Sequence, residues 1–442
     1  SEFPCNEQGD FLNPCDGRPN KKGEMNFVQI SGVFAKEDHE VVAPPLSDFR
    51  EYQGVNTLEE QKLAGQYRRE LEAEAVEAIK SAPATWKVVE ILTTQNVSLA
   101  VAKALVERFG LESSRQIAAR LQDFLYGDKA KHILRLIDED VQNLQAVQAV
   151  QRAWDCIKGN IEHFDAAVAE KKESFLSRFY HAMARTFENI TAKAKEGRID
   201  PFLRVNLLKY SKEEEEIPLH DAEREIKIGF FPIAANPLNW GHILPPLMSM
   251  NALELDTIIL RVQGEISYKK LLACERVSVK DRHFTVNEAI KGLYPLVRYT
   301  DLGSEENNER EGSDEMHRFL KLNAERKIHL YYLIGAEDEQ RMWNYMRQQY
   351  EFFGKYNFGI NPNHRVTFAV MQRDEYGATV TLKDLEDISR QVQKEFGQKQ
   401  FLNIALVQDP DIDLHVSSTY YRNTQDGAFV PKIVHDFAKS YG

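Results

Sequence analysis

Two kinds of apolar spacing divide this chain. From Leu58 to about Gly197 apolar residues recur every three or four positions, the pattern of helices with one buried face. The runs Leu58–Ser81, Ser98–Phe109 and Ser113–Tyr126 are stopped by Pro83, Gly110 and Gly127, and residues 128–197 carry longer helices such as Lys129–Ile157 and Phe175–Lys195. After residue 226 the pattern changes. Short apolar runs at Ile226–Ala234, Asp256–Val262, Leu296–Leu302, His329–Gly335, Arg365–Met371 and Phe401–Val407 alternate with helix-like stretches at Ile243–Leu253, Lys280–Lys291, Ser313–Glu325, Glu339–Phe353 and Leu382–Glu395. That succession predicts an α/β domain, a Rossmann-like, mostly parallel sheet with helices on both faces, preceded by an all-α domain. The acidic run Ser211–Glu216, followed by Pro218, reads as a linker. The expected organisation is an irregular segment over 1–57, a helical domain over 58–210, a linker over 211–225 and the α/β domain over 226–442.

Candidate chemistry falls where such a sheet binds ligands, at the carboxyl ends of its strands. The first apolar run breaks at Asn236-Pro237, and Gly241-His242 then precede a Leu/Met-rich helix. A strand that turns into a helix N-terminus presents unpaired N–H groups and favours anions, and an imidazole beside them can bind phosphate oxygens. After the last run, Val416-Ser417-Ser418-Thr419-Tyr420-Tyr421-Arg422 places three hydroxyls and a guanidinium on a nascent helix, a second set of phosphate donors. Neither common phosphate loop is present: no G-x-G-x-x-G occurs, and Ile360 follows Gly354 and Gly359 where a P-loop needs Lys.

These stretches resemble the nicotinamide/nicotinate mononucleotide adenylyltransferases of the nucleotidyltransferase superfamily. Asn236-Pro237-Leu238-Asn239-Trp240-Gly241-His242 matches the signature G-x-F…[D/N]-P-x-[H/T]-x-G-H except at Asn239, and Val416–Arg422 matches I-S-S-T-x-[I/V]-R except at Tyr421. Leu333–Asp338 is similar to the family's strand-end G-x-D, and Phe429–Val434 to its closing V-P-x-x-V, so the resemblance covers about residues 226–442 in the family's order. It implies transfer of a nucleotidyl group from ATP, with Mg²⁺ carried on its phosphates, to a mononucleotide phosphate. His242, Arg422 and Asn239 would be the catalytic groups. Gly229, Phe230, Gly241, Ser417, Ser418, Thr419, Gly335 and Asp338 would bind ATP, with Glu337 a rival to Asp338. Lys270 stands where the family places a Lys near the phosphates, with Lys269, Arg276, Lys280 and Arg282 as rivals. Trp343 would stack on the acceptor's pyridine ring, or else be a core residue of an amphipathic helix. Two other readings stand beside this one: a module that binds nucleotide without turnover, and a transferase using another phosphorylated acceptor or CTP.

Composition narrows the partners. The net charge of −12 argues against a general nucleic-acid or anionic-membrane surface. No apolar run is long enough to span a bilayer and no signal-like apolar core opens the chain, so a cytoplasmic location is the expectation. The four cysteines are too few for a disulfide scaffold, and the histidines show no zinc spacing. The helical half is expected to serve as an oligomerisation surface, a lid or a docking module for a protein partner. Val97–Leu105 is only faintly similar to a helix-hairpin-helix element, and the region is not basic.

Overall fold

The computed structural model describes residues 58–440 apart from 84, 95–96, 122–126, 163–165, 204, 208–223, 265–276, 302–311, 337–338, 357–360, 373–379, 398–401 and 409–417. The chain divides into two compact units, residues 1–137 and 138–442.

The described part of the first unit is helical: α1 (Leu58–Ser81), α2 (Thr85–Thr94), α3 (Leu99–Phe109), α4 (Leu111–Arg120) and the start of α5 (Gly127–Glu162). Its core joins Ala75 and Ile79 of α1, Val88 and Leu92 of α2, Val101 and Leu105 of α3, Ile117 of α4, and Ile133 and Ile137 of α5. Ser98 caps α3 by accepting from the Val101 N–H. Gly110, at φ 76°, ends α3 and starts α4, so α4 begins two residues before the expected Ser113. The expected continuation to Tyr126 falls on residues outside those described. Helix α2 was not expected. Its Thr85, Val88, Val89, Ile91, Thr93 and Thr94 are β-branched, which weakens the helical signal of the sequence.

The second unit is a three-layer α/β/α fold. Its six strands are β1 (Ile226–Ile233), β2 (Thr257–Val262), β3 (Val297–Thr300), β4 (Ile328–Gly335), β5 (His364–Met371) and β6 (Asn403–Val407). All pair in parallel, in the order 3-2-1-4-5-6, the doubly wound Rossmann arrangement with its switch point between β1 and β4. Alternate residues supply two cores. Phe231, Ile233, Leu260, Leu333 and Met371 face one layer, formed by the rest of α5, α6 (Ala166–Lys195), α7 (Leu244–Leu253), α8 (Val279–Ile290) and α13 (Lys432–Ser440). Ile228, Phe230, Ile259, Tyr332 and Phe368 face the other, formed by α9 (Gly312–Leu322), α10 (Glu339–Tyr356) and α11 (Leu382–Phe396). The remaining helix, α12 (Ser418–Thr424), follows β6.

The helical domain expected over 58–210 therefore does not stand as one piece. Ala146, Ala149, Val150, Ala153 and Ile157 of α5 and Phe179, Met183, Phe187 and Ile190 of α6 belong to the core of the sheet unit. The physical reason is that an apolar helical stripe has the same period whatever it covers. The acidic linker itself lies largely outside the described residues.

Several charges are buried in this unit. Arg261 and Glu315, each 1% exposed, form an ion pair between β2 and α9. Asp256, fully buried, accepts from Arg224, from the Lys227 N–H at 2.9 Å and from the Asp200 N–H at 2.9 Å. At the opposite end of the sheet from the strand carboxyl termini, His329 lies 2.7 Å from Thr367 Oγ1 and stacks on Tyr331 at 4.2 Å. Burial, aided by the Arg365 guanidinium, pushes its pKa down to about 4. The unfolded chain takes that proton near pH 6.5 and the folded chain only near 4, so unfolding binds protons between these values. The contribution of His329 to stability is thus fully present above pH 6.5 and is lost progressively as the pH falls towards 4. Urea midpoints measured across that window are expected to fall less steeply for His329→Gln than for the parent; equal slopes would show that the ring does not carry the effect.

Candidate active site at the carboxyl end of β1

Strand β1 ends at Ile233 and the chain turns at once. Pro237 has no N–H to continue a ladder, so the strand cannot run on. Ala235 takes a left-handed φ of 49° and the Asn236-Pro237 bond is cis. A non-glycine residue in that region costs roughly 1–2 kcal/mol, so the surroundings must hold it. Trp240–His242 form a single 3-10 turn, and α7 follows with prolines in its first turn, where a missing N–H costs nothing.

The turn is held from several sides. Arg282 Nη1 donates to the Ala234 carbonyl at 2.7 Å, and the Val277 N–H donates to Asn236 Oδ1 at 2.8 Å. From α12, Arg422 Nη1 donates to the Asn236 carbonyl at 2.6 Å and Ser418 Oγ to the Pro237 carbonyl at 2.9 Å. Behind the turn, Trp240 is fully buried, donates its indole N–H to the Ala428 carbonyl at 3.0 Å and lies 4.9 Å from the Phe179 ring. The two stretches that carry the sequence signatures are therefore in direct contact, although 186 residues separate Asn236 from Arg422.

His242 is half-buried, and its Nδ1 accepts the Asn239 N–H at 3.2 Å. A neutral imidazole that accepts at Nδ1 carries its proton on Nε2, so the ring's other nitrogen is a donor. Gly241, also half-buried, lies in the same turn. Asn239 differs from the expectation that its amide donates to phosphate. A carbonyl cannot donate, so Ser418 gives its one proton to Pro237 and must accept from Asn239 Nδ2, 3.0 Å away. One of the two amide protons thus goes to α12, and Asn239 is 2% exposed.

On α12, Thr419 is exposed and its Oγ1 accepts from Arg422 Nη2 at 3.0 Å. Tyr421, the departure from the second signature, is 2% exposed and packs in the core; burial raises its pKa, and its hydroxyl lies 3.3 Å from His435 Nδ1.

Other expected ligand residues are placed elsewhere. Gly229 lies within β1, where Leu255 and Leu333 would each stand 2.9 Å from an added Cβ, so close packing on its own accounts for a glycine there. Phe230 is 1% exposed and stacks on Tyr332, again a core position. Gly335 ends β4, the neighbour of β1 across the switch point, so it does share the sheet edge with the turn. Lys280 is exposed in the first turn of α8. Trp343 packs against the core of the α9–α11 face, with the Arg347 guanidinium 5.6 Å from its ring. Ser417, Glu337, Asp338, Lys269, Lys270 and Arg276 lie outside the described residues. Arg282 is corrected: its guanidinium is spent on backbone carbonyls rather than offered to phosphate. An Arg in a helix's first turn reads as solvent-facing, so the sequence held no signal of this. Asn236, whose side chain ties the turn to the start of α8, was legible only as part of the signature.

No protein-family model matches the chain, and no curated protein matches it. Among solved structures it is similar to nicotinic acid mononucleotide adenylyltransferase of Plasmodium falciparum, in complexes with APC and with NaAD. Each comparison gives 11% identity and a TM-score of 0.35, covering 49% of this chain and 96% of that one. A likeness of that degree assigns neither substrate nor activity to this chain.

Proposed function

We propose that the α/β unit transfers the adenylyl group of ATP to the phosphate of nicotinamide or nicotinate mononucleotide. The observation that carries this reading is the contact of the two signatures at the carboxyl end of β1, through Arg422 to Asn236 and Asn239 to Ser418. A phosphate oxygen of the mononucleotide attacks the α-phosphorus in line, and the bond to the β-phosphate oxygen breaks. Pyrophosphate leaves with the electron pair of that bond, and no covalent enzyme intermediate forms. His242 donates from Nε2 to a phosphoryl oxygen as charge builds, and Arg422 holds the departing phosphates. Among the described residues no cluster of three or more His, Cys, Asp or Glu is arranged to hold a metal. The donors at the turn are phosphate ligands, which suits Mg²⁺ arriving on ATP and held mainly by its phosphate oxygens.

One observation favours a second reading. Asn239 is 2% exposed and gives one of its two amide protons to Ser418, so the turn presents a less accessible phosphate donor than the signature implies. That suits a module that binds nucleotide without turnover, or one fitted to another acceptor or to CTP. Full-length protein with Mg-ATP and either mononucleotide is expected to release pyrophosphate and form a dinucleotide. Binding of ATP with no product from either acceptor supports the non-catalytic reading. Product from another phosphorylated acceptor, or from CTP, keeps the chemistry and removes the dinucleotide assignment. No helix among the described residues is long and apolar enough to cross a membrane. We also propose a cytoplasmic setting.

A further inference from the structure

Arg282 is 1% exposed, and its planar fork gathers four backbone carbonyls. Nη1 donates to Ala234 at the end of β1 and to Gln263 just after β2, each at 2.7 Å. Nη2 donates to the Gly264 carbonyl, and Nε to that of Val277, before α8, at 3.2 Å. The same Val277 returns its N–H to Asn236 Oδ1. Three chain segments that converge at the carboxyl ends of β1 and β2 are thus tied to one side chain.

We propose that Arg282 is a positioning residue for the nucleotide site: it fixes the turn Ala234–Asn236, and through it His242, without touching the ligand. The inference rests on the nucleotide-binding reading above. Its physical basis is the left-handed Ala235, which a non-glycine residue holds only when its flanks are pinned. Arg282 holds the carbonyl before Ala235, and Val277 and Arg422 hold the residue after it. Lysine cannot replace this device. Its ammonium is a single compact donor head, whereas the guanidinium reaches partners on several sides of a rigid plane and stays charged at any working pH.

Arg261 provides the control. It is equally buried, and its fork is spent on Glu315 rather than on the turn. Arg282→Lys and Arg261→Lys would each be compared with the parent in the full chain, with Mg-ATP as probe, at temperatures where circular dichroism shows the protein folded. Arg282→Lys is expected to weaken Mg-ATP binding about 10- to 100-fold, the scale of a small misplacement of binding groups, while Arg261→Lys leaves it unchanged. Parental affinity in folded Arg282→Lys would overturn the proposal, and so would an equal loss in both variants. Should Arg282→Lys fail to fold, Asn236→Ala removes the other tether of the turn and is expected to weaken binding in the same way; parental affinity there has the same adverse meaning. If the parent itself binds no Mg-ATP, the functional reading fails by itself. Amide exchange then judges the clamp. The Val277 N–H should exchange faster in Asn236→Ala and in any folded Arg282→Lys but not in Arg261→Lys, and unchanged exchange would refute the clamp.

Discussion

A chain beginning at Asp138 is expected to fold, and a chain beginning at Arg224 is not. The second cut falls at the acidic segment that looks like a linker, and it removes α6 and the sheet-facing part of α5. Those helices cover one face of the sheet with Ile157, Phe179, Met183, Phe187 and Ile190, each no more than 2% exposed. At about 1.5–3 kcal/mol for each such side chain, their loss amounts to roughly 7–15 kcal/mol, the scale of a whole domain's stability. The cut also uncovers Trp240, which packs against the Phe179 ring directly behind the signature turn, and takes the Asp200 N–H from the buried Asp256 carboxylate. Starting at Asp138 avoids the opposite error, because Ala130, Ile133 and Ile137 belong to the core of the first unit. Solubility, cooperative urea unfolding and ATP binding of the two fragments decide the matter. A soluble, cooperatively unfolding fragment from Arg224 would show that α5 and α6 are dispensable to the sheet.

The strands were legible because their apolar runs are short, rich in Ile, Val, Leu and Phe, and bounded by turn residues. β2 is buried along its whole length, as a parallel strand covered on both faces should be, and its apolar run is interrupted only by Arg261, whose charge is paired with Glu315. Helix α1 was legible at both ends, since Pro83 follows closely on Ser81. The domain boundary was not, because the periodicity of α5 and α6 shows that each has an apolar stripe but not what the stripe meets. The two signatures announced the site, yet not the way its groups are spent. Asn239 and Arg282 each carry donors that a sequence reading offers to phosphate, and the fold uses them on Ser418 and on backbone carbonyls. Gly229 carries a similar ambiguity: a glycine near a phosphate turn suggests ligand approach, and here two leucines also crowd the place of its missing Cβ. Such errors share a cause. Hydrogen-bond capacity belongs to the residue, but its partner is decided by tertiary contacts, 179 positions away for Asn239 and 48 for Arg282.

His242→Ala is expected to lower kcat by about 10²–10³, close to 3 kcal/mol, with little change in the Kd for ATP. The reason lies in which state the ring serves. The Asn239 N–H on Nδ1 leaves Nε2 as a neutral donor, and a neutral donor gains most where phosphoryl charge is building rather than where it already stands. Arg422→Ala should behave differently. Its guanidinium meets a triphosphate that is charged before reaction, so ATP affinity and kcat should both fall. It also holds the Asn236 carbonyl, so some loss of thermal stability should accompany the change, and binding must be measured on the folded fraction. His242→Gln sharpens the test, because a neutral amide donor should recover part of the rate lost in His242→Ala. If neither His242→Ala nor Arg422→Ala alters ATP binding or turnover, the contact between the two signatures is only a structural join between β1 and α12, and the nucleotidyl-transfer reading of this sheet edge fails.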